Sequence, residues 1–344
     1  MAGPTMEDVA ARAGVSRSLV SLVMQGSPRV SPHRRDAVLQ AAGDLGYRPN
    51  AHARNLASRT TRSVGVLLSD LHNPFFAEIY DGVEAEAAEA DFKLLVNTGG
   101  RRPAGEKAAV ETLLELRVDG IILAGARLAT ADIVTAARTV PVALVTRVVR
   151  DDAVDWVTSD DAHGAELAVE HLASLGHRRI AHIDGGRGAG AGARRTGYRK
   201  AMARHGLAAG AIVVHGDYTE ASGVAATRHL MEGAGAPTAI FAANDLCAAG
   251  VLSELDDLGL RVPGDVSVVG YDNTALAGMH TIGLTTIDQP RLAMGRQAMR
   301  ALLDRMNGRS EPPMRSVLPP SLVVRSTTGP PPDRPLAAPR GPLP

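Results

Sequence analysis

The chain has 344 residues, of which 45% are hydrophobic and only 3% aromatic, enough for an aliphatic core spread over two or three domains. With Cys247 as its only cysteine and no run of 18 apolar residues, the sequence excludes a disulfide scaffold and a membrane-spanning protein. The formal net charge is zero, but residues 1–62 carry nine arginines against four acidic residues. A basic head on an acidic body is typical of a protein that docks on phosphates with one end. No signal segment opens the sequence, so we expect a cytoplasmic protein.

Two short helices joined by a tight turn are predicted between Thr5 and Gln25. Thr5 is a good N-cap, Gly14 ends the first helix, and Ser16 caps the second. Apolar residues recur at helical spacing in both segments. Such a pair is either an ordinary αα-hairpin or a helix-turn-helix, whose second helix enters the major groove of DNA. The spacing alone leaves both interpretations open.

A third helix is predicted from the N-cap Ser31 to about Leu45, where Gly46 ends it. Three helices in fewer than fifty residues make a small bundle, close to the lower limit for independent stability. The helix-permitting segment 51–58 follows a proline break. It is too short to be a stable isolated helix in water, so it is expected to fold only when a partner orders it.

From residue 63 onward, short apolar runs alternate with helical stretches. Apolar strands connected by helices are typical of buried parallel sheets, and about eleven strands are better accommodated in two sheets than in one. The proline-rich segment 329–344 is predicted to be disordered. The predicted strands are 64–68, 93–96, 120–123, 142–145, 156–158, 180–183, 212–214, 239–242, 266–269, 284–287 and 322–324.

Five further motifs follow the predicted head in a fixed order: DLHNPFF at 70–76, RVDGII at 117–122, HLASLGHRRI at 171–180, AND at 243–245 and GYDN at 270–273. Together with residues 5–58, this ordered set resembles the lactose/galactose-repressor family of bacterial transcription regulators. The resemblance implies a homodimer with an all-α helix-turn-helix head and an α/β body of two Rossmann-like lobes of the periplasmic-binding-protein type I. The implied domains are the head at 1–47, a hinge helix and linker at 48–62, the effector-binding body at 63–328 and a tail at 329–344.

The resemblance also implies that the second helix contacts the bases of an operator. Arg17 can bind guanine in a bidentate manner, whereas better candidates for phosphate contacts are Ser16, Ser21, Ser31 and Asn50. Leu22 departs from the arginine often found at its position, and a leucine cannot donate a hydrogen bond to a base edge. The implied DNA-binding residues are Thr5, Ser16, Arg17, Ser18, Ser21, Leu22, Ser31, Asn50, Ala53 and Leu56.

Residues 51–58 match the hinge helix of the family, which folds on DNA. Two copies side by side place a leucine, here Leu56, into the minor groove as a wedge that kinks the duplex. The alternative is that Leu56 merely packs on the body.

The resemblance places an effector pocket between the lobes, at the carboxyl ends of the strands, with chain crossings near 159–161, 288–290 and 319–322. Carboxylate, guanidinium and amide groups suit ligand hydroxyls, as in a sugar or a nucleoside. Two alternatives stay open: Arg194 and Asp272 form a structural ion pair, or the phenylalanines are plain core. Thr146 replaces an aspartate common in the family. The implied effector-binding residues are Phe75, Phe76, Arg194, Tyr218, Asn244, Asp272 and Gln289.

The leading interpretation is a ligand-responsive transcriptional regulator, most often a repressor in this family. We expect it to bind a pseudo-palindromic operator in double-stranded DNA as a homodimer, switched by a small molecule. The alternatives are a sugar-binding protein without a DNA role and an enzyme. No catalytic motif and no metal-ligand spacing supports the enzyme interpretation. The glycine-rich segment 185–192 does not support a nucleotide cofactor, because it fits neither the dinucleotide-binding nor the P-loop pattern. We expect no cofactor, no metal and no membrane partner.

Overall fold

The computed structural model describes residues 4–24, 26–47, 60–232, 235–309 and 312–333. The chain divides into two compact units, a head that ends at Thr61 and a body that begins at Arg62. The predicted hinge, with Asn50, Ala53 and Leu56, lies outside the described residues, as does the tail from residue 334 onward. In the described part of the chain, no helix is long and apolar enough to cross a membrane.

The head consists of three helices, α1 (Met6–Ala13), α2 (Arg17–Met24) and α3 (Pro32–Leu45). A capping box opens α1. The Thr5 hydroxyl accepts the Asp8 backbone N–H at 3.3 Å, while the Asp8 carboxylate accepts the Thr5 N–H at 2.8 Å. These reciprocal bonds satisfy two backbone donors that a helix otherwise leaves free, as the sequence predicted.

An aliphatic core joins the three helices of the head. Val9, Val20 and Val38 are fully buried and pack together, one from each helix. Gly14 and Gly46 follow α1 and α3 in the left-handed conformation, which glycine adopts without steric cost. The three predicted helices and the glycines that end two of them are therefore confirmed, whereas Ser31 precedes α3 without a capping hydrogen bond from its side chain in the described part of the head.

The body contains two sheets and the helices that connect their strands. The strands are β1 (Ser63–Leu68), β2 (Lys93–Asn97), β3 (Gly120–Ala124), β4 (Val142–Val145), β5 (Val154–Ser159), β6 (Ile180–Ile183), β7 (Ala211–Val214), β8 (Ala239–Ala242), β9 (Ser267–Asp272), β10 (Thr285–Asp288), β11 (Arg315–Leu318) and β12 (Ser321–Val323). The helices are α4 (Pro74–Glu89), α5 (Pro103–Glu115), α6 (Thr130–Ala137), α7 (Asp161–Ser174), α8 (Ala191–Arg204), α9 (Glu220–Glu232), α10 (Asp245–Asp257), α11 (Ala275–Gly278) and α12 (Arg291–Met306).

Each sheet forms the centre of one lobe. Lobe 1 has the strand order β11-β5-β4-β3-β1-β2, and all its pairs are parallel. Lobe 2 has the order β12-β10-β9-β8-β6-β7, in which only β12 runs antiparallel. The chain passes between the lobes three times, after β5, after β10 and after β11. The two-lobed architecture and the three predicted crossings are confirmed.

All eleven predicted strands are present, with shifted ends, but β11 was not predicted. Its residues alternate between exposed and half-buried, because it forms the edge of its sheet. The prediction relied on continuous apolar runs, which mark strands buried on both faces and miss such an edge strand.

The body extends into the segment that the sequence assigned to a disordered tail. The Gly329 carbonyl accepts hydrogen bonds from His177 Nε2 at 2.9 Å and from the Ser267 hydroxyl at 3.0 Å. The Gly329 N–H in turn donates to the Ser267 hydroxyl at 3.0 Å. Residue 329 is therefore part of the body, and the expectation of disorder is wrong for it because composition does not reveal these bonds.

Candidate functional site

One face of α2 is exposed and polar. Val20 and Val23 are buried in the head, which leaves Arg17, Ser18 and Leu22 exposed. Residues at i, i+1, i+4 and i+5 lie on one side of a helix, so positions 17, 18, 21 and 22 share this face. A recognition helix requires such an exposed face, although a surface helix of an ordinary αα-hairpin also presents polar residues to solvent.

Among the described residues, Arg17 forms an ion pair with Glu7 at 3.1 Å between two largely exposed side chains. Such a pair contributes little free energy, so the guanidinium can exchange it for a base edge. Thr5, Ser16 and Ser31 are exposed residues immediately before α1, α2 and α3. Helix N-termini favour anions, which makes these positions suitable for DNA phosphates.

A cleft lies between the lobes, at the carboxyl ends of their strands. It has two adjoining parts, an inner compartment of about 60 Å³ and an outer compartment of about 790 Å³. The inner compartment is lined by five of the predicted effector residues, Phe75, Phe76, Arg194, Tyr218 and Asp272. Open α/β folds bind ligands at this edge, where several loops converge.

Arg194 is the best-anchored charged side chain of the cleft. Its Nε donates to Asp161 Oδ1 at 2.8 Å, and its Nη1 donates to the Ala243 carbonyl at 2.5 Å. The guanidinium also lies 3.6 Å from the ring centroid of Tyr271. Asp272 Oδ1 is more distant, at 4.0 Å from Nη2. The close ion pair of Arg194 is thus with Asp161, which leaves Asp272 available to a ligand.

Asp272 is a buried carboxyl in a strained backbone position. It is 3% exposed, has a φ of 114°, and accepts one hydrogen bond from Gln289 Nε2 at 2.7 Å. Burial raises the pKa of the Asp272 carboxyl well above its ordinary value, and the Arg194 charge opposes that shift. Backbone strain and a shifted pKa together are typical of functional sites. Ligand hydroxyls that donate to this carboxyl would favour its charged form.

The two phenylalanines belong to the core of lobe 1 and also line the inner compartment. Phe75 is 5% exposed, and its ring meets the Phe76 ring edge to face at 5.2 Å. Phe76 lies against Gly125, where an added Cβ would come within 2.5 Å of the ring. The two phenylalanines therefore pack in the core of lobe 1 and also form part of the pocket edge.

Asn244 and Gln289 lie behind the cleft wall and do not line the cleft. Asn244 is the N-cap of α10, and its Oδ1 accepts the Cys247 N–H at 2.9 Å. Its Nδ2 is buried, with no hydrogen-bond partner among the described residues. Gln289 orients Asp272 through the bond described above. Both residues were predicted to contact the effector; in this structure they instead support residues of the cleft wall from behind.

Tyr218 is enclosed by the glycine-rich segment 185–192. Its hydroxyl donates to the Ala189 carbonyl at 2.7 Å, and a Cβ at Gly185 or Gly188 would come within 2.3 Å of its ring. Gly185 and Gly188 thus allow the backbone to approach an aromatic side chain closely, which explains these two glycines without a nucleotide motif.

Sequence reasoning missed Asp161 and Arg101. Asp161 is the first residue of α7, directly after a lobe crossing, and that place was its only signal. Arg101 lines the inner compartment from lobe 1 and donates to the backbone carbonyl of Asp217 in lobe 2. Its Nη1 is also 3.8 Å from Asp70 Oδ2. Arg101 thus connects the two lobes across the cleft.

Thr146, which follows β4, lines both compartments. Its hydroxyl oxygen is buried and has no hydrogen-bond partner in the part of the chain that the structure describes. A buried hydroxyl without a partner costs free energy, so a ligand atom that bonds to it would be stabilised there.

The described residues contain no cluster of histidine, cysteine and acidic side chains that could hold a metal ion. Burial raises the pKa of the Cys247 thiol to about 12, which disfavours the thiolate needed for nucleophilic attack.

Comparison with known proteins agrees with this geometry. Residues 5–50 match the bacterial regulatory proteins of the lacI family, and residues 169–328 match a periplasmic binding protein-like domain. The chain is 38% identical to the HTH-type transcriptional regulator CelR of Thermobifida fusca, over 94% of this chain and 98% of that protein.

Two solved structures have the same architecture. A complex of the regulator CelR with cellobiose has 37% identity and a TM-score of 0.69, over 94% of this chain and 99% of that one. The lac repressor dimer bound to operator and the anti-inducer ONPF has 32% identity and a TM-score of 0.82, over 95% and 100%. The chain therefore belongs to the lacI family of bacterial transcriptional regulators.

Proposed function

We propose that this regulator is a repressor that binds a pseudo-palindromic operator as a homodimer and is switched by a small molecule in the cleft. The observation that carries the proposal is the set of Arg194, Asp161 and Asp272, three buried ionisable groups at the wall of a cavity. Burying charges is costly even when they are paired, and it is tolerated where a ligand uses them. Operator binding would place the protein in the bacterial cytoplasm.

The chemistry of the inner compartment supports a polyhydroxylated ligand. Asp272 accepts hydroxyl hydrogen bonds, Arg194 donates in a planar fork, and Tyr218 offers an aromatic wall. Cellobiose is the ligand named for the similar CelR structure. We therefore propose a sugar or a sugar-like molecule, such as a nucleoside, as the effector class.

The exposed face of α2 supports operator binding. Two copies related by two-fold symmetry would present two such faces to the two halves of a palindrome. The similar lac repressor structure is a dimer on operator DNA. We propose that residues 51–58 fold on DNA and place Leu56 in the minor groove.

Footprinting of the full chain on the DNA upstream of its own gene tests this proposal. We expect two protected half-sites with centres about one helical turn apart, roughly 10 bp, and two chains bound per site. Transcription in vitro from that promoter should fall as the protein is added. A single protected half-site would contradict the dimeric mode. A rise in transcription would contradict the repressor role, and binding of a sugar without any protection would favour a sugar-binding protein.

A further inference from the structure

The outer compartment carries two arginines, Arg127 and Arg187, whose guanidinium groups have no close ion-pair partner among the described residues. Arg127 reaches it from lobe 1, and Arg187 from lobe 2. In the described part of the body, the Arg127 guanidinium interacts with the buried Glu106 carboxyl only electrostatically, while its backbone N–H donates to that carboxyl. A third arginine, Arg147, lines the same wall and is fixed by bonds to the carbonyls of Ala126 and Leu128.

The N-terminus of α8 faces the same space. Its N-cap is Gly190, which has no side chain to accept the free N–H groups. Gly192 and Ala193 line the outer compartment, and within the described residues their backbone N–H groups have no acceptor. The positive end of a fourteen-residue helix therefore adds to the field of the arginines.

The acidic groups nearby are already engaged. Asp161 is paired with Arg194 at 2.8 Å, and Asp160 accepts the His163 N–H at 3.0 Å as the N-cap of α7. Glu106 lies behind Arg127, fully buried, and accepts the Arg127 backbone N–H at 2.5 Å. Burial raises the pKa of the Glu106 carboxyl, and the hydrogen bonds and charge around it, including those of Arg127, oppose that shift. With Asp161 paired to Arg194, the three arginines of the outer compartment outnumber Asp160 and Glu106, so the compartment has an excess of positive charge even when both carboxylates are charged.

The two compartments adjoin each other, because Arg127, Thr146 and Asp161 line both of them. A single ligand can therefore place one end against Asp272 in the inner compartment and the other end in the outer one. The unpartnered Thr146 hydroxyl lies at the junction, where it can donate to an oxygen of the ligand.

We propose that the effector is a polyhydroxylated anion, a sugar phosphate or a sugar acid, whose anionic group binds between Arg127, Arg187 and the N-terminus of α8. This inference rests on the proposed function of the cleft and specifies its ligand. Guanidinium groups bind phosphates and carboxylates through bidentate, charge-assisted hydrogen bonds. Because the two arginines belong to different lobes, the anion also links the lobes across the cleft.

Inorganic phosphate tests the anion site without knowledge of the sugar. The melting temperature of the full chain is compared in sodium phosphate, acetate and chloride at equal ionic strength. We expect phosphate to raise it by about 2 °C over chloride, because a ligand that binds only the folded state stabilises that state. The variant Arg127→Ala/Arg187→Ala should lose this rise. Since it keeps the basic head, phosphate bound by the head cannot explain the difference.

Arg199→Ala is the matched control, because Arg199 is an exposed arginine of α8 that does not line the cleft. It should retain the full rise in phosphate. Equal melting temperatures of the wild-type chain in all three salts would overturn the proposal, as would loss of the rise in Arg199→Ala. A rise in acetate equal to that in phosphate would assign the site to carboxylates.

Calorimetric titration with glucose, glucose 6-phosphate and gluconate, and with the corresponding galactose set, then identifies the ligand class. We expect one anion to bind at least about tenfold more tightly than its neutral sugar, and the double variant to lose this preference. If the ligand is a neutral sugar that binds the wild type and the double variant equally well, the proposed anion site is wrong, whereas the proposed regulator function still stands. Absence of operator protection in the footprint would instead contradict the proposed function.

Discussion

Arg194 shows how a single buried side chain organises the cleft. The sequence left open whether Arg194 and Asp272 pair with each other or meet a ligand. In the structure Arg194 is paired closely with Asp161, at 2.8 Å, and stands 4.0 Å from Asp272. Residue type and motif order were enough to find Arg194 and Asp272. Asp161 could not be found in this way, because its role depends on a loop conformation that brings α7 next to α8.

Arg17→Ala tests the recognition helix at a single residue. We expect operator affinity to fall by about 1–3 kcal/mol, with relaxed specificity at one base pair, because a bidentate base contact is lost. The measurement is binding to a panel of operators with single base changes. Arg12→Ala is the matched control, since Arg12 is an exposed arginine of α1 paired with Asp44. Equal losses of operator affinity for both variants, without any change in base preference, would mean that Arg17 contacts phosphate and does not read a base.

His182 predicts how stability depends on pH. It is fully buried in β6, stacks on Phe241 at 4.6 Å, and burial lowers its pKa from 6.5 to about 4. The unfolded chain therefore binds a proton on His182 between pH 6.5 and 4, whereas the folded chain does not. The free energy of unfolding should fall as the pH drops through this range, by about 3 kcal/mol from this residue.

The measurement is denaturant unfolding at several pH values between 7 and 4, for the wild type and His182→Gln. Burial also lowers the pKa of His171 and His177, so part of the slope will remain in the variant. We expect the variant to be less stable at pH 7 but to have a clearly shallower slope. An unchanged slope would mean that His182 titrates normally in the folded chain.

At the scale of elements, glycines set the distance between paired helices. In lobe 1, a Cβ at Gly295 of α12 would lie 2.1 Å from the Ile79 carbonyl, and one at Gly82 of α4 would lie 2.2 Å from the Leu292 carbonyl. Lobe 2 repeats the arrangement between α9 and α10, through Gly223. Sequence periodicity found these helices, but it does not specify which glycines lie at a crossing.

Gly295→Ala should therefore separate α4 and α12 and reduce the free energy of unfolding by about 1–3 kcal/mol, as expected for an overpacked contact. Gly278→Ala is the control, because a Cβ at Gly278 meets nothing within 4 Å. It should change the stability by less than about 0.5 kcal/mol. A neutral or stabilising Gly295→Ala would show that the helix pair can adjust without cost.

The hinge segment carries a prediction from sequence. Leu56→Gly should weaken operator binding far more than effector binding, because it removes the proposed minor-groove wedge and makes helix formation costlier. The measurement compares anisotropy on operator DNA with calorimetric titration of the effector. Equal losses in both assays would mean that Leu56 packs on the body.

At the scale of the whole molecule, the two lobes are joined by three chain crossings and by the hydrogen bond from Arg101 to lobe 2. A ligand in the cleft contacts both lobes and can therefore change their relative arrangement. A ligand that binds one arrangement of the lobes more tightly shifts the population toward it. Most of the architecture followed from the alternation of apolar strands and helices, because that pattern reflects burial directly. Arg101, Asp161 and the support roles of Asn244 and Gln289 did not, because they depend on contacts between segments far apart in sequence.

The most direct test of the account is fluorescence anisotropy of wild type and Asp272→Ala on the footprinted operator, at fixed salt, with and without the effector that calorimetry identifies. We predict that the effector changes the operator Kd of the wild type at least tenfold. Asp272→Ala should bind operator with wild-type affinity and show no response, because it lacks the carboxyl that holds the ligand hydroxyls. A normal response of Asp272→Ala, or a wild-type affinity that no ligand changes, would contradict the claim that the buried charges of the cleft control DNA binding.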